Sequence, residues 1–238
     1  MYAQPLPDNA ARARNASALL IVNLCLFSVM TAKDILKLFA EGAFYQFYRL
    51  TLIAEGVLEI AQSVLIITTS VFFIMWFRRA YNNLWLSGAR FLPYKEGWAA
   101  GGWFVPIINW FYPYRIMNAI WIETPAAIRK VGEHYERPQE NYVGWWWAFW
   151  LIGNIVSSIE SQVVLRGGIT SGPGIYVMDF ISDSALVLAA WLGWKLIKRI
   201  SEMETDLAGR YNEWLAYQTQ QAAQQYGQSQ SFSSPKQW

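Results

Sequence analysis

Four apolar runs punctuate the chain. Ala16 to Ala32 (ASALLIVNLCLFSVMTA) is short and reaches spanning length only by continuing past Lys33 and Asp34 toward Phe39. Ile60 to Phe77 is the cleanest, and its helix is expected to begin near Thr51. Tyr142 to Leu165 opens on YVGWWWAFWLIGNIV, and Ile175 to Ile200 ends on ALVLAAWLGWKLIKRI. Each supplies the roughly 20 residues that a hydrocarbon core about 30 Å thick requires. Lipid offers the backbone no hydrogen-bond partners and period-two alternation is absent, so helices are predicted. The pattern is that of an all-α integral membrane protein with four transmembrane helices.

A further apolar stretch, Gly97 to Ile122, breaks its own pattern. It carries Trp103, Phe104 and Pro106, then Trp110, Phe111 and Pro113 seven residues later, together with the pair Gly101 and Gly102 and the charge of Arg115. Each interior proline removes a helical hydrogen bond and clashes with the preceding turn, at about 3 kcal/mol. A short re-entrant or interfacial hairpin between spans two and three is therefore predicted, with Trp103 and Trp110 at headgroup level, Arg115 snorkelling to water, and the glycine pair permitting close backbone approach. Seven residues return to nearly the same helical face, so Trp103 with Trp110 and Pro106 with Pro113 would align in any helical part.

Beyond Trp194, the residues Leu196, Ile200, Met203, Leu207, Tyr211 and Trp214 recur at three and four, which predicts an amphipathic helix over 201–216 leaving the membrane. Residues 217–238 are Gln- and Ser-rich, with too little apolar surface to fold, and are expected to be disordered. Residues 1–15 form an N-terminal segment, leaving 16–200 as the membrane domain. Arg12 and Arg14 before the first run, and Ala32 at its end, also suit a signal peptide. Met30 stands where a cleavage site needs a small side chain, so an uncleaved span is preferred.

Charge orients the bundle. If 97–122 does not cross, fifteen of the nineteen Lys and Arg share the side of the two termini and the 78–141 connection, leaving Lys33, Lys37, Arg49 and Arg166 opposite. The positive-inside rule then places both termini in the cytoplasm. Ten of the fourteen tryptophans lie between Trp76 and Trp150, a one-sided aromatic belt whose plain reading is lipid anchoring.

Composition agrees with a membrane protein: 54% hydrophobic, 17% aromatic and 15% charged residues. A net charge of +2 without a basic cluster sets nucleic acid aside. The lone Cys25 lies in the first span and the lone His134 in a polar loop, so neither forms a nucleophile–base pair or a His-rich zinc motif. No catalytic residue, metal site or cofactor is expected, and the chain is not expected to be an enzyme.

The candidates for chemistry are carboxylates. Glu55 with Glu59, and Asp179 with Asp183, stand at i, i+4 spacing near the outer ends of spans, and Glu160 lies at similar depth. As a candidate ion or proton site they would face a cavity; read plainly, they are hydrated groups at a span end, paired with Lys37, Arg49 or Arg166. Arg78, Arg79, Asn82 and Asn83 follow the second span, where Arg78 reads as a stop-transfer charge. Arg79 and Asn83 share a face and are expected to reach lipid phosphates or the carbonyls freed by Pro106 and Pro113.

The string Trp76-x-x-Arg79-Ala80-x-x-Asn83, followed by Gly97-Trp98-x-x-Gly101-Gly102-Trp103-Phe104-x-Pro106-x-x-Asn109-x-x-x-Pro113, resembles the bacterial domain-of-unknown-function 4328 family, as does Trp146-Trp147-x-x-Trp150. The resemblance spans roughly Thr51 to Ile200. It implies a bacterial multi-span membrane protein and supplies no activity, substrate or cofactor. Two function classes are left: a non-catalytic module binding membrane lipid, a partner membrane protein or a second copy, and an oligomeric ion or small-solute conduit using the acidic pairs.

Overall fold

The computed structural model describes residues 4–44, 48–131, 140–168 and 172–233. Helix α1 (Ala10–Phe44), α2 (Tyr48–Leu86), α5 (Tyr142–Gly167) and α6 (Pro173–Ser233) are each long and apolar enough to cross a membrane. Between α2 and α5 lie a four-residue helix α3 (Trp98–Gly101), a 3-10 turn (Ile108–Trp110) and helix α4 (Tyr112–Lys130). No strand occurs among the described residues. The α5 boundaries follow local chemistry. The Asn141 side chain accepts from Gly144 N at 3.2 Å, and Gly168 closes the helix at φ 64°, where a side chain would be strained.

Helix α1 packs on α2 and on α6, and α6 also packs on α5, so the spans stand in the order α2, α1, α6, α5. Polar pairs knit neighbours together. Asn23 of α1 donates to Thr69 Oγ1 of α2 at 2.5 Å, and Ser182 Oγ of α6 donates to the Gly153 carbonyl of α5 at 3.1 Å. Gly153 makes room for that approach, since a Cβ there would meet Leu186 at 2.8 Å. Aromatic rings bring the outer members of the row together at one level, with Phe73 of α2 and Trp146 of α5 at 5.9 Å.

The best-packed core lies toward one end of the spans. Trp76, Phe77, Tyr81 and Leu84 of α2, Ile116, Met117, Ile120 and Ile128 of α4, and Leu196, Ile197, Ile200 and Met203 of α6 are fully enclosed. By contrast, only 11% of the most apolar window of α2 and 6% of that of α5 is buried, as expected of helices solvated by lipid.

Three stretches differ from the sequence expectation. Pro113 does not interrupt a helix; it sits in the first turn of α4, where its missing N–H and fixed φ are tolerated. Helix α4 then runs beyond Ile122 to Lys130, burying one face against α2 and α6. Helix α6 continues through 201–216 and the Gln-rich stretch to Ser233, because Ala and Gln are good helix formers and an established helix propagates cheaply. Residues 234–238 of the expected tail lie outside the described residues.

Candidate functional site

A buried carboxylate joins three elements. The inward stripe of α6 contains Ile200, Met203, Leu207 and Tyr211, and Glu204 falls on the same side, 7% exposed. Asn83 of α2 donates through Nδ2 to Glu204 Oε1 at 3.0 Å and to the Pro7 carbonyl at 3.2 Å. Asn9 donates through Nδ2 to Glu204 Oε2 at 3.0 Å and to the Trp76 carbonyl at 3.2 Å. The Leu6 amide donates to Asn212 Oδ1 at 3.0 Å, so Leu6–Asn9 is strapped across α2 and α6.

At 61 residues, α6 extends about 90 Å, roughly three times the hydrocarbon thickness. Its apolar run ends among Lys195, Lys198 and Arg199, so Glu204 lies beyond the spanning part. Burial pushes the Glu204 carboxyl up to about 7; the Asn9 and Asn83 hydrogen bonds and the Arg79 charge act against that, and Asp8 adds to it. A cavity of about 190 Å³ adjoins the cluster. Asn9 Oδ1, Asn83 Oδ1 and Ser201 Oγ are buried without a hydrogen-bond partner among the described residues. The cavity has room for the waters that such groups hold.

The Gly/Trp/Pro segment is built from the four-residue helix α3, the 3-10 turn Ile108–Trp110 and the start of α4. Trp103 faces inward: its ring lies edge-on to Phe73 and Phe77 of α2, at 5.7 and 5.9 Å, and to Trp147 and Trp150 of α5, at 6.2 and 6.0 Å. Trp110 points outward instead, because the residues between them form turns and the seven-residue alignment does not apply. The Pro106 carbonyl accepts from Ile108 N at 2.8 Å with Ile107 at φ 69°, ψ −51°, a γ-turn that is strained for a β-branched residue.

The turn also uses its own backbone: Asn109 N donates to the Val105 carbonyl at 2.9 Å, and Asn109 Oδ1 is buried without a partner among the described residues. Asn83 is thus bonded to Glu204 and Pro7, not to carbonyls near Pro106 and Pro113. Arg79 stands where its charge favours ionised Glu204. Arg115 donates to Tyr94 Oη at 3.0 Å. Of the two glycines, Gly102 is the crowded one, where a Cβ would meet the Trp98 carbonyl at 2.8 Å; Gly101 has nothing nearer than 3.9 Å.

The acidic residues come together in part. Glu160 of α5 and Asp179 of α6 lie beside one another, and Asp183 and the buried Asp34 of α1 lie near them. Lys33 Nζ lies 3.7 Å from Asp34 Oδ1. Glu59 is exposed on α2, while the side chain of Glu55 lies outside the described residues, as do those of Lys37 and Arg49. No group of three or more His, Cys, Asp or Glu side chains among the described residues is arranged to hold a metal ion.

Sequence reasoning missed Glu204 and Asp34. The signal for Glu204 was a charge one residue after Met203 and four after Ile200, on an otherwise apolar face. For Asp34 it was a charge that the first span must include to reach full length.

Residues 46–202 match a family model described as a domain of unknown function (DUF4328). No curated protein and no solved structure matches the chain. The matched region contains the Trp76 to Pro113 string, Trp146, Trp147 and Trp150. The Leu6–Asn9 strap and Glu204 fall outside it.

Proposed function

The chain belongs to the DUF4328 family, and we propose that it is a non-catalytic module of the bacterial cytoplasmic membrane that binds membrane lipid or a partner membrane protein, which includes a second copy of itself. One observation carries this reading. Phe104 and Ile107, each 76% exposed, and the half-exposed Trp110 and Phe111 project from a single short turn. Large apolar side chains presented together suit a lipid interface or a partner.

In this reading the 97–122 segment lies at the inner interface, both termini are cytoplasmic, and α4 covers the inner ends of α2 and α6. The fifteen-to-four division of Lys and Arg supports that orientation. Cysteine labelling in a Cys25-free chain checks it: Lys130→Cys is expected to react only after permeabilisation and Leu165→Cys in intact cells, and the reverse would overturn the orientation.

Purification from native membranes, beside an unrelated four-span protein handled identically, tests the module itself. Enrichment of one lipid class, or of one partner in fixed stoichiometry, is expected. A lipid and protein complement matching the control would count against it.

A second reading, an oligomeric ion or small-solute conduit, draws support from the approach of Glu160, Asp179 and Asp183 to Asp34. Spans standing in a row need further copies to enclose a lumen. Cation flux in proteoliposomes that is lost in Asp183→Asn would favour it over the binding module.

A further inference from the structure

Three guanidiniums meet where α2 leaves its apolar run. Arg12 of α1 and Arg78 and Arg79 of α2 line one cavity of about 240 Å³, with Asn82, Met75 and Glu96. Arg78 Nε lies 3.3 Å from Glu96 Oε1, which fixes Arg78 and offsets its charge. Arg12 and Arg79 form no ion pair among the described residues, although Arg79 feels the charge of Glu204 behind it. Three cations against one lining carboxylate leave the cavity positive. Paired guanidiniums beside an amide are a suitable donor set for phosphate oxygens.

The surface above the cavity narrows the ligand. Val64, Ile67, Val71 and Met75 are all exposed and follow one another at three- and four-residue spacing along α2. Continuing the same spacing leads to Arg78, Arg79 and Asn82. An apolar strip ending in a cationic pocket has the layout of an amphiphile with one anionic end. A free phosphate would fill the pocket and leave the strip uncovered.

We propose that Arg12, Arg79 and Asn82 bind the headgroup phosphate of an anionic phospholipid of the inner leaflet, with an acyl chain along Val64–Met75. This rests on the membrane-binding reading above and deepens it by naming a ligand class and its site. Glu96 holds Arg78 and repels further negative charge on its own side, which directs the phosphate toward Arg12 and Arg79. The negative potential of the cytoplasmic leaflet concentrates such lipids at this depth.

Native mass spectrometry of the full chain in detergent tests the site, using phosphatidylglycerol and phosphatidylcholine with identical acyl chains. The native chain is expected to retain phosphatidylglycerol about tenfold better. Arg12→Gln with Arg79→Gln should bring the two lipids level, whereas Arg14→Gln, exposed and outside the cavity, should change nothing. If the double variant does not fold, Arg12→Gln alone decides, with a partial loss of selectivity expected. Equal retention of both lipids by the native chain, or an unchanged preference in the variants, would overturn the proposal. Displacement of phosphatidylglycerol by millimolar inorganic phosphate would also overturn it, in favour of a free-anion site. Co-isolation of a stoichiometric partner without lipid selectivity would overturn this site and leave the module reading standing. Lipid selectivity alongside cation flux would do the opposite.

Discussion

Asn83 and Glu204, 121 positions apart, are joined at 3.0 Å, and this contact ties the C-terminal end of α2 to the extension of α6. It also fixes the strap, because the same Asn83 amide holds the Pro7 carbonyl. Asn83→Ala removes donors to both partners while the Glu204 oxygen stays buried. A loss of about 1 to 3 kcal/mol is expected, which is larger than the effect of Glu59→Ala on an exposed helix face. Thermal melts in one detergent compare the two, and an equal or greater loss at Glu59 would show that the structural centre lies elsewhere.

Glu204 makes stability depend on pH. Its carboxyl is raised from 4.5 to about 7 in the fold, chiefly by burial. The sign follows from linkage: the folded state binds the proton more tightly, so stability is greatest below about pH 4.5 and declines as pH rises through about 7. The full difference is of order 3 kcal/mol. Glu204→Gln keeps the shape: its oxygen still accepts from one asparagine, and its amide donates to the other once that side chain turns its Oδ1, which has no partner among the described residues, toward it. Melting temperature against pH is expected to fall for the native chain and to fall less steeply for the variant; parallel curves would exclude Glu204 as a source.

The four helices long and apolar enough to cross a bilayer were legible because length and apolarity are read directly from the sequence. Even the continuation of the first run through Lys33 and Asp34 followed from length. What a residue touches was less legible. Pro113 has the same identity as a helix breaker and as a first-turn residue, and only the position of the helix start separates the two roles. Trp103 suited a headgroup belt by composition, yet it fills the gap between α2 and α5, because the chain before it turns and directs the ring inward. Burial of Glu204 depends on amides supplied by Asn9 and Asn83, whose approach no local pattern encodes.

Gly101 and Gly102 look equivalent in sequence and differ in space. A Cβ at Gly102 would meet the Trp98 carbonyl at 2.8 Å and Tyr112 Cβ at 3.1 Å, the first held in α3 and the second at the start of α4. Gly102→Ala should therefore lower the melting temperature in detergent. Gly101→Ala has open space and should be neutral or raise stability by up to about 1 kcal/mol, since alanine restricts the unfolded chain. Equal losses at both positions would show that the strap of backbone around Trp98 is not where the crowding lies.

Ile107 is the sharpest test of where the turn sits. A β-branched residue at φ 69° is strained by about 1 to 3 kcal/mol, and glycine would relieve it. An exposed isoleucine there has a physical reason if its side chain rests in lipid. Burying it would recover roughly 1.5 to 3 kcal/mol, enough to offset the strain. A nitroxide attached to Ile107→Cys, in a Cys25-free chain reconstituted in bilayers, reports the depth directly. Collisions with oxygen, which partitions into lipid, are expected to exceed collisions with a water-soluble nickel complex, and the same label at Arg90, in the exposed loop after α2, should show the reverse. Nickel-dominated relaxation at both positions would place the turn in water and remove the observation on which the membrane-binding reading rests.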